Sequence, residues 1–160
     1  MVKPRSVWEA EVDVLQKKGE PPHVVNNAVQ QRGRDLRKFR LFAAILDLML
    51  AAEKGKTVPY QEFSQNLHLG SHWERNILLG HLFALCRAAG WPCYLSIVIG
   101  SDPSLNSPSE GFFTACTKAG IAIVPNRRTF VDTLQKECFG FPLPDEDLVA
   151  FEVLKYFKKV

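Results

Sequence analysis

A chain of 160 residues, 46% of them hydrophobic, is long enough for one well-buried domain and too short for two large ones. Its 23% charged and 11% aromatic content excludes a disordered polymer, and a net charge of +3 permits an acidic partner without demanding one. The longest apolar run, Leu41 to Ala52, is interrupted by Asp47 and falls short of the roughly 20 residues of a membrane helix, so no membrane partner is expected.

The N-terminus carries Glu9, Glu11 and Asp13 where a signal peptide would be apolar, which points to a cytoplasmic protein. Residues 1–18 predict a short helix with Val7, Trp8, Val12 and Leu15 on one face, ended by Gly19, Pro21 and Pro22. A second helix is expected from Val24 or Asn26 to Glu53, weakened at Gly33, with Leu36, Phe39, Phe42, Leu46, Met49 and Leu50 as its inner face. After the turn "KGKTVPY", the stretch "PYQEFSQNL" reads as a two-turn helix. Ser71, with Glu74 three residues on, predicts the start of a third helix running to Ala88 and stopped by Gly90. Ile77, Leu78, Leu82, Leu85 and Cys86 are its inward positions.

"CYLSIVIG" reads as a strand buried on both faces, 101–110 as a surface loop, and "GFFTAC" as a strand or a helix start. Residues 129–139 predict a helix with Phe130, Leu134 and Cys138 in register. "DEDLVAFEVLKYFKKV" predicts a last one, acidic at its start and basic at its end as the helix dipole favours. The fold expected is α+β and mostly helical, in a single domain. An N-terminal helix (1–20) precedes a winged-helix-like core (24–113), and a helical extension (120–160) follows.

Four stretches concentrate residues that contact nucleic acid or protein. "QRGRDLRKFR" sets five basic residues against Asp35, and on a helix Arg34, Arg37 and Lys38 form one stripe. Such a stripe neutralises phosphates, holds an acidic protein surface, or is a solvated face. Ser71, His72, Arg75 and Asn76 are the polar residues of the third helix's first two turns, the positions from which a helix-turn-helix reaches base edges. Tyr60 opens the short helix before them, where it contacts a phosphate or is half-buried. Arg127 and Arg128 begin a later helix, where the dipole disfavours cations. His23, His68, His72 and His81 make no metal set, since "LGS" breaks the shared face of His68 and His72. No phosphate loop, serine elbow or catalytic carboxylate pair is present, so neither metal nor cofactor is expected. Cys86, Cys93, Cys116 and Cys138 have no CxxC spacing and read as separate buried thiols.

Residues 56–99 resemble the DNA-binding half of the alkyltransferase family, including its alkyltransferase-like members. "KTVPYQEFSQ" is similar to the family's helix start, Gly80 to the glycine of its recognition helix, and "WPCYLSIVI" to its proline-cysteine-histidine-arginine strand. The resemblance implies a winged helix whose recognition helix enters the DNA minor groove, and a cysteine, here Cys93, at the place of alkyl transfer. Tyr94 and Leu95 stand where that chemistry needs its histidine and arginine, and a tyrosine titrating near pH 10 makes no thiolate at neutral pH. The arginine that props open the DNA in the family falls at Ile77. The expectation is therefore a non-catalytic protein that binds nucleic acid, duplex DNA first. A protein–protein module of the same fold, a regulator or inhibitor of mobile-element origin, is the alternative. A thiol enzyme acting through Cys93 is the third reading.

Overall fold

The computed structural model describes residues 22–100 and 102–159, together with Gly19. The helix expected over 1–18 lies outside these residues. The chain divides into two compact units, residues 1–39 and residues 40–160.

Helix α1 spans Pro22–Glu53 without a break at Gly33. Pro22 is its first residue, a position that needs no N–H donor. In the second unit its buried face is Leu41, Ala44, Ile45, Leu48, Met49 and Ala52. The face expected from the sequence is rotated from this one. Leu36, Phe39 and Leu50 are exposed, Phe39 at 67%, while Phe42 and Leu46 are half-buried. "LFAAILDLMLAA" is apolar nearly all round, so its pattern does not fix which side turns inward.

Strand β1 (Val58–Pro59) leads directly into helix α2 (Tyr60–Asn66). Phe63 anchors this short helix, its side chain wholly buried. Helix α3 (His72–Ala89) follows. Ser71 Oγ accepts from Glu74 N at 3.2 Å, and Glu74 Oε2 accepts from Gly70 N at 2.9 Å, a capping box displaced by one residue. Gly90 closes α3 at φ +69°, a left-handed conformation that favours glycine. Leu78, Leu82, Leu85 and Cys86 are buried as expected, but Ile77 is 38% exposed.

Half of the expected strand "CYLSIVIG" is helical. Residues Tyr94–Ile97 form a 3-10 turn, and only Val98–Ile99 are extended, as β2. All six side chains from Tyr94 to Ile99 are buried. A run apolar on every side packs equally well in either conformation, and here it lies between α3 and a later helix. β2 pairs in parallel with β1, Val58 opposite Val98 and Pro59 opposite Ile99. The loop after β2 contains a second 3-10 turn, Pro103–Leu105. "GFFTAC" is helical, within α4 (Glu110–Lys118).

Helix α5 (Arg127–Gly140) starts at Asn126, whose Oδ1 accepts from Thr129 N at 2.9 Å. Its buried Gln135 donates from Nε2 to Ser96 O at 2.9 Å and Asn106 O at 3.2 Å, and its Oε1 accepts from Asn106 Nδ2. One amide thus fastens α5 to the 3-10 turn and to the loop after β2. Helix α6 (Glu146–Lys159) buries Val149 and Val153 and packs on α3, where Tyr156 Oη lies 2.8 Å from His81 Nδ1. The described residues are therefore mostly helical, with one two-stranded parallel sheet. No described helix is long and apolar enough to cross a membrane.

Candidate nucleic-acid interface

The short helix α2 has a polar face because its residues repeat at helical spacing. Tyr60, Gln61, Ser64 and Gln65 lie on one side, while Phe63 points into the core. On α3 the positions three and four apart, His72, Arg75 and Asn76, turn the same way. These two faces, with His68 between them and Ser109 beyond, line a cleft of about 850 Å³. A smaller cavity of about 250 Å³ shares Tyr60, Asn76 and Ser109 with the cleft and is otherwise walled by residues such as Leu79, Leu95 and Phe112.

Arg75 organises the cleft. Its guanidinium carbon sits 5.2 Å from the centre of the Tyr60 ring, a cation–π contact across the two helices. Its Nη2 is hydrogen-bonded to His72 Nδ1. Arginine only donates, so His72 Nδ1 is the acceptor in this contact. Arg75 Nε and Ser64 Oγ are buried and have no hydrogen-bond partner among the described residues. Buried polar atoms left unpaired are costly, and functional sites are where folds carry that cost. Tyr60 Oη is held 2.8 Å from Ser109 Oγ, which fixes the ring at the cleft's edge.

Tyr60, His72, Arg75 and Asn76, four of the residues singled out from the sequence, thus meet at one cleft, and Ser71 caps the helix that bears three of them. Arg34, Arg37 and Lys38 lie on α1 in the first unit, where Arg37 Nε donates to Gly33 O at 3.4 Å. Arg127 and Arg128 are engaged within the fold. Arg127 forms a two-pronged ion pair with Glu110 at 2.7 Å and lies 4.4 Å from the Phe113 ring centre. That pairing holds the Glu110 carboxyl below its usual range and the guanidinium above its own. Arg128 donates to Leu105 O at 2.6 Å and pairs with Asp132 at 3.3 Å. Both arginines therefore brace α5 against α4 and the loop after β2. The α2 side chains Gln61, Ser64 and Gln65 escaped the sequence reading, although the spacing of polar residues in "YQEFSQNLH" carried the signal.

Cys93 is half-buried and lines neither cavity. All four cysteines are free. Cys86, Cys116 and Cys138 are buried and Cys93 is half-buried, as expected of separate thiols. Burial raises the Cys93 thiol well above its ordinary value, and the nearby thiols of Cys86, Cys116 and Cys138 raise it further. Cys138 Sγ also donates to Cys93 O at 3.3 Å. Burial pushes Cys86 to about 12 and Cys138 to about 11. Among the described residues no group of three or more His, Cys, Asp or Glu is placed to hold a metal ion. Compared with known proteins, the chain matches no family model, no curated protein and no solved structure.

Proposed function

We propose that this protein binds nucleic acid without catalysing a reaction on it, through the cleft between α2 and the start of α3. The observation that carries the reading is the meeting of Tyr60, His72, Arg75 and Asn76 with Gln61 and Gln65 in that cleft. An aromatic ring, a guanidinium and three side-chain amides are the groups that stack on bases and pair with their edges. The order of a long helix, α2, α3 and then the extended Val98–Ile99 supports a winged-helix-like arrangement with α3 as its recognition helix. The raised thiol of Cys93 supports a non-catalytic role. Four free thiols suit the cytoplasm as its place of action.

A gel shift at low salt, run with duplex DNA and with single strands, tests this. Binding to at least one form that falls steeply as salt rises is expected, and Arg75→Ala with Asn76→Ala removes it. No binding to either form at low salt sinks the reading.

A second reading, a protein-interaction module, is favoured by exposed apolar side chains on α6: Leu148, Phe151 and Leu154 are each about half exposed or more. The arginine stripe of α1 would then serve an acidic partner surface. Under that reading the Arg75 and Asn76 substitutions leave any nucleic-acid binding unchanged.

A further inference from the structure

Helix α6 is apolar on two opposite sides, and the fold uses one of them. Its buried side carries Val149 and Val153 and packs on α3. On the other side Phe151 is 59% exposed, Leu154 51% and Leu148 49%. At about 100° per residue, Phe151 lies about 160° around the helix from both Val149 and Val153, with Leu148 and Leu154 about 60° to either side of it. The three make an outward stripe about 120° wide, the width with which a helix ordinarily meets a core. Charges share that side. Asp147 in the first turn, and Lys155 and Lys158 towards the end, each lie within about 40° of Phe151 around the helix. All three are exposed, and among the described residues none of them enters an ion pair.

We infer that this side of α6 docks on the same side of a second copy of the chain, the two helices antiparallel about a two-fold axis beside Phe151. This deepens the protein-interaction reading of α6, on which it rests, by naming the partner, and it asks nothing of the cleft. Two features select a second copy over a foreign protein. The first is the symmetry of the stripe. A two-fold contact uses one patch twice, so the patch must be complementary to itself. An axis beside Phe151 sets residues equally far before and behind it level with one another. Leu148, three residues before, comes level with Leu154 of the other copy, three residues after, and the two Phe151 side chains meet between them. The second feature is charge. In the antiparallel pair the acidic start, Glu146 and Asp147, lies beside the basic end, Lys155 and Lys158, of the other copy, and the contact recurs at the far end. The helix dipoles then run in opposite senses as well. A parallel pair would set acid on acid and lysine on lysine. A foreign partner requires neither the apolar symmetry about Phe151 nor the reversal of charge across it.

Sedimentation equilibrium of the full chain, over a range of concentrations at low salt, tests the inference. A stripe of three side chains makes a small contact, so a monomer–dimer equilibrium in the micromolar range is expected, weakening as salt rises. Phe151→Asp should leave the chain monomeric. Lys155→Glu with Lys158→Glu makes both ends of α6 acidic and should weaken self-association roughly tenfold or more, because the two-fold axis doubles each repulsion. Glu146→Lys with Asp147→Lys makes both ends basic and should do the same. Mixing the two reversed chains should restore a dimer, now of unlike chains. The substituted side chains are exposed, so circular dichroism should show each variant as helical as the parent. A dimer that survives Phe151→Asp overturns the inference, as do reversed chains that pair with themselves as well as with each other. A chain that stays monomeric at every concentration overturns it too, and the protein-interaction reading then stands on a different protein, or on another part of this chain, covering the stripe.

Discussion

Arg75 touches both walls of the cleft at once, hydrogen-bonded to His72 on its own helix and set over the Tyr60 ring on the next. Replacing it with Lys keeps the charge but loses the planar fork, so Arg75→Lys should weaken nucleic-acid binding several-fold with the salt slope nearly unchanged. Arg75→Ala should lower that slope by about one as well, and titrations at three salt concentrations separate the two. The thiols make a different prediction. Cys86 and Cys138 ionise at about 12 and about 11 in the fold, against an unfolded value of about 9.0. A raised thiol pKa means that the unfolded chain gives up its protons first. The stabilisation is whole below pH 9 and disappears as the pH climbs towards 12. Melting temperature should fall across that window, and Cys86→Ala with Cys138→Ala should flatten the fall. An equal slope in the variant refutes the assignment. That Cys138 donates to the Cys93 carbonyl was illegible in the sequence, where the two lie 45 residues apart, because only the folded chain brings them together.

At the scale of elements, α2 shows how little holds one wall of the cleft. It has seven residues, too few to be helical by itself, and Phe63 is the one side chain that it buries completely. Phe63→Ala should cost about 3–5 kcal/mol and remove binding along with the wall, read by denaturant melts and anisotropy on the same sample. Ser71→Ala should cost only about 1 kcal/mol, the loss of one cap. The ends of α3 were legible because a serine, a glutamate three on and a glycine act through local backbone geometry. The stretch from Tyr94 to Ile97 was not. Alternation marks a half-buried strand and a period of 3.6 marks a half-buried helix, but side chains buried on all sides show neither. The same blindness rotated the expected face of α1. In α3 the period was clear, yet nothing in it distinguishes Ile77 as exposed from Leu78 as buried.

For the molecule as a whole, the division at residues 39 and 40 makes a physical claim. Every core residue identified, from Leu41 to Val153, belongs to the second unit, and so do both walls of the cleft. A fragment of residues 40–160 should therefore keep a cooperative melt and the cleft's affinity for its ligand. Calorimetry and anisotropy on the fragment check this. A fragment that melts without a transition would show that the core depends on the first 39 residues. The mostly helical α+β class was legible in composition and helical periodicity, whereas the parallel pairing of two dipeptides was beyond reach, since two residues carry no pattern.

That pairing has a kinetic consequence. β1 and β2 are adjacent in space and distant in sequence, and the chain between them holds α2 and all of α3. The pairing closes a long loop, whose entropy is spent before the contacts inside it repay it. Helical turns alone form far sooner than such a closure. The cleft opens between two elements of that loop, so a chain with its helices formed but Val58 and Val98 still apart has residues of the right kind and nowhere to bring them together. Competence to bind should thus appear late in refolding, in step with amide protection at Val98 and Ile99 and behind the rise of helical signal.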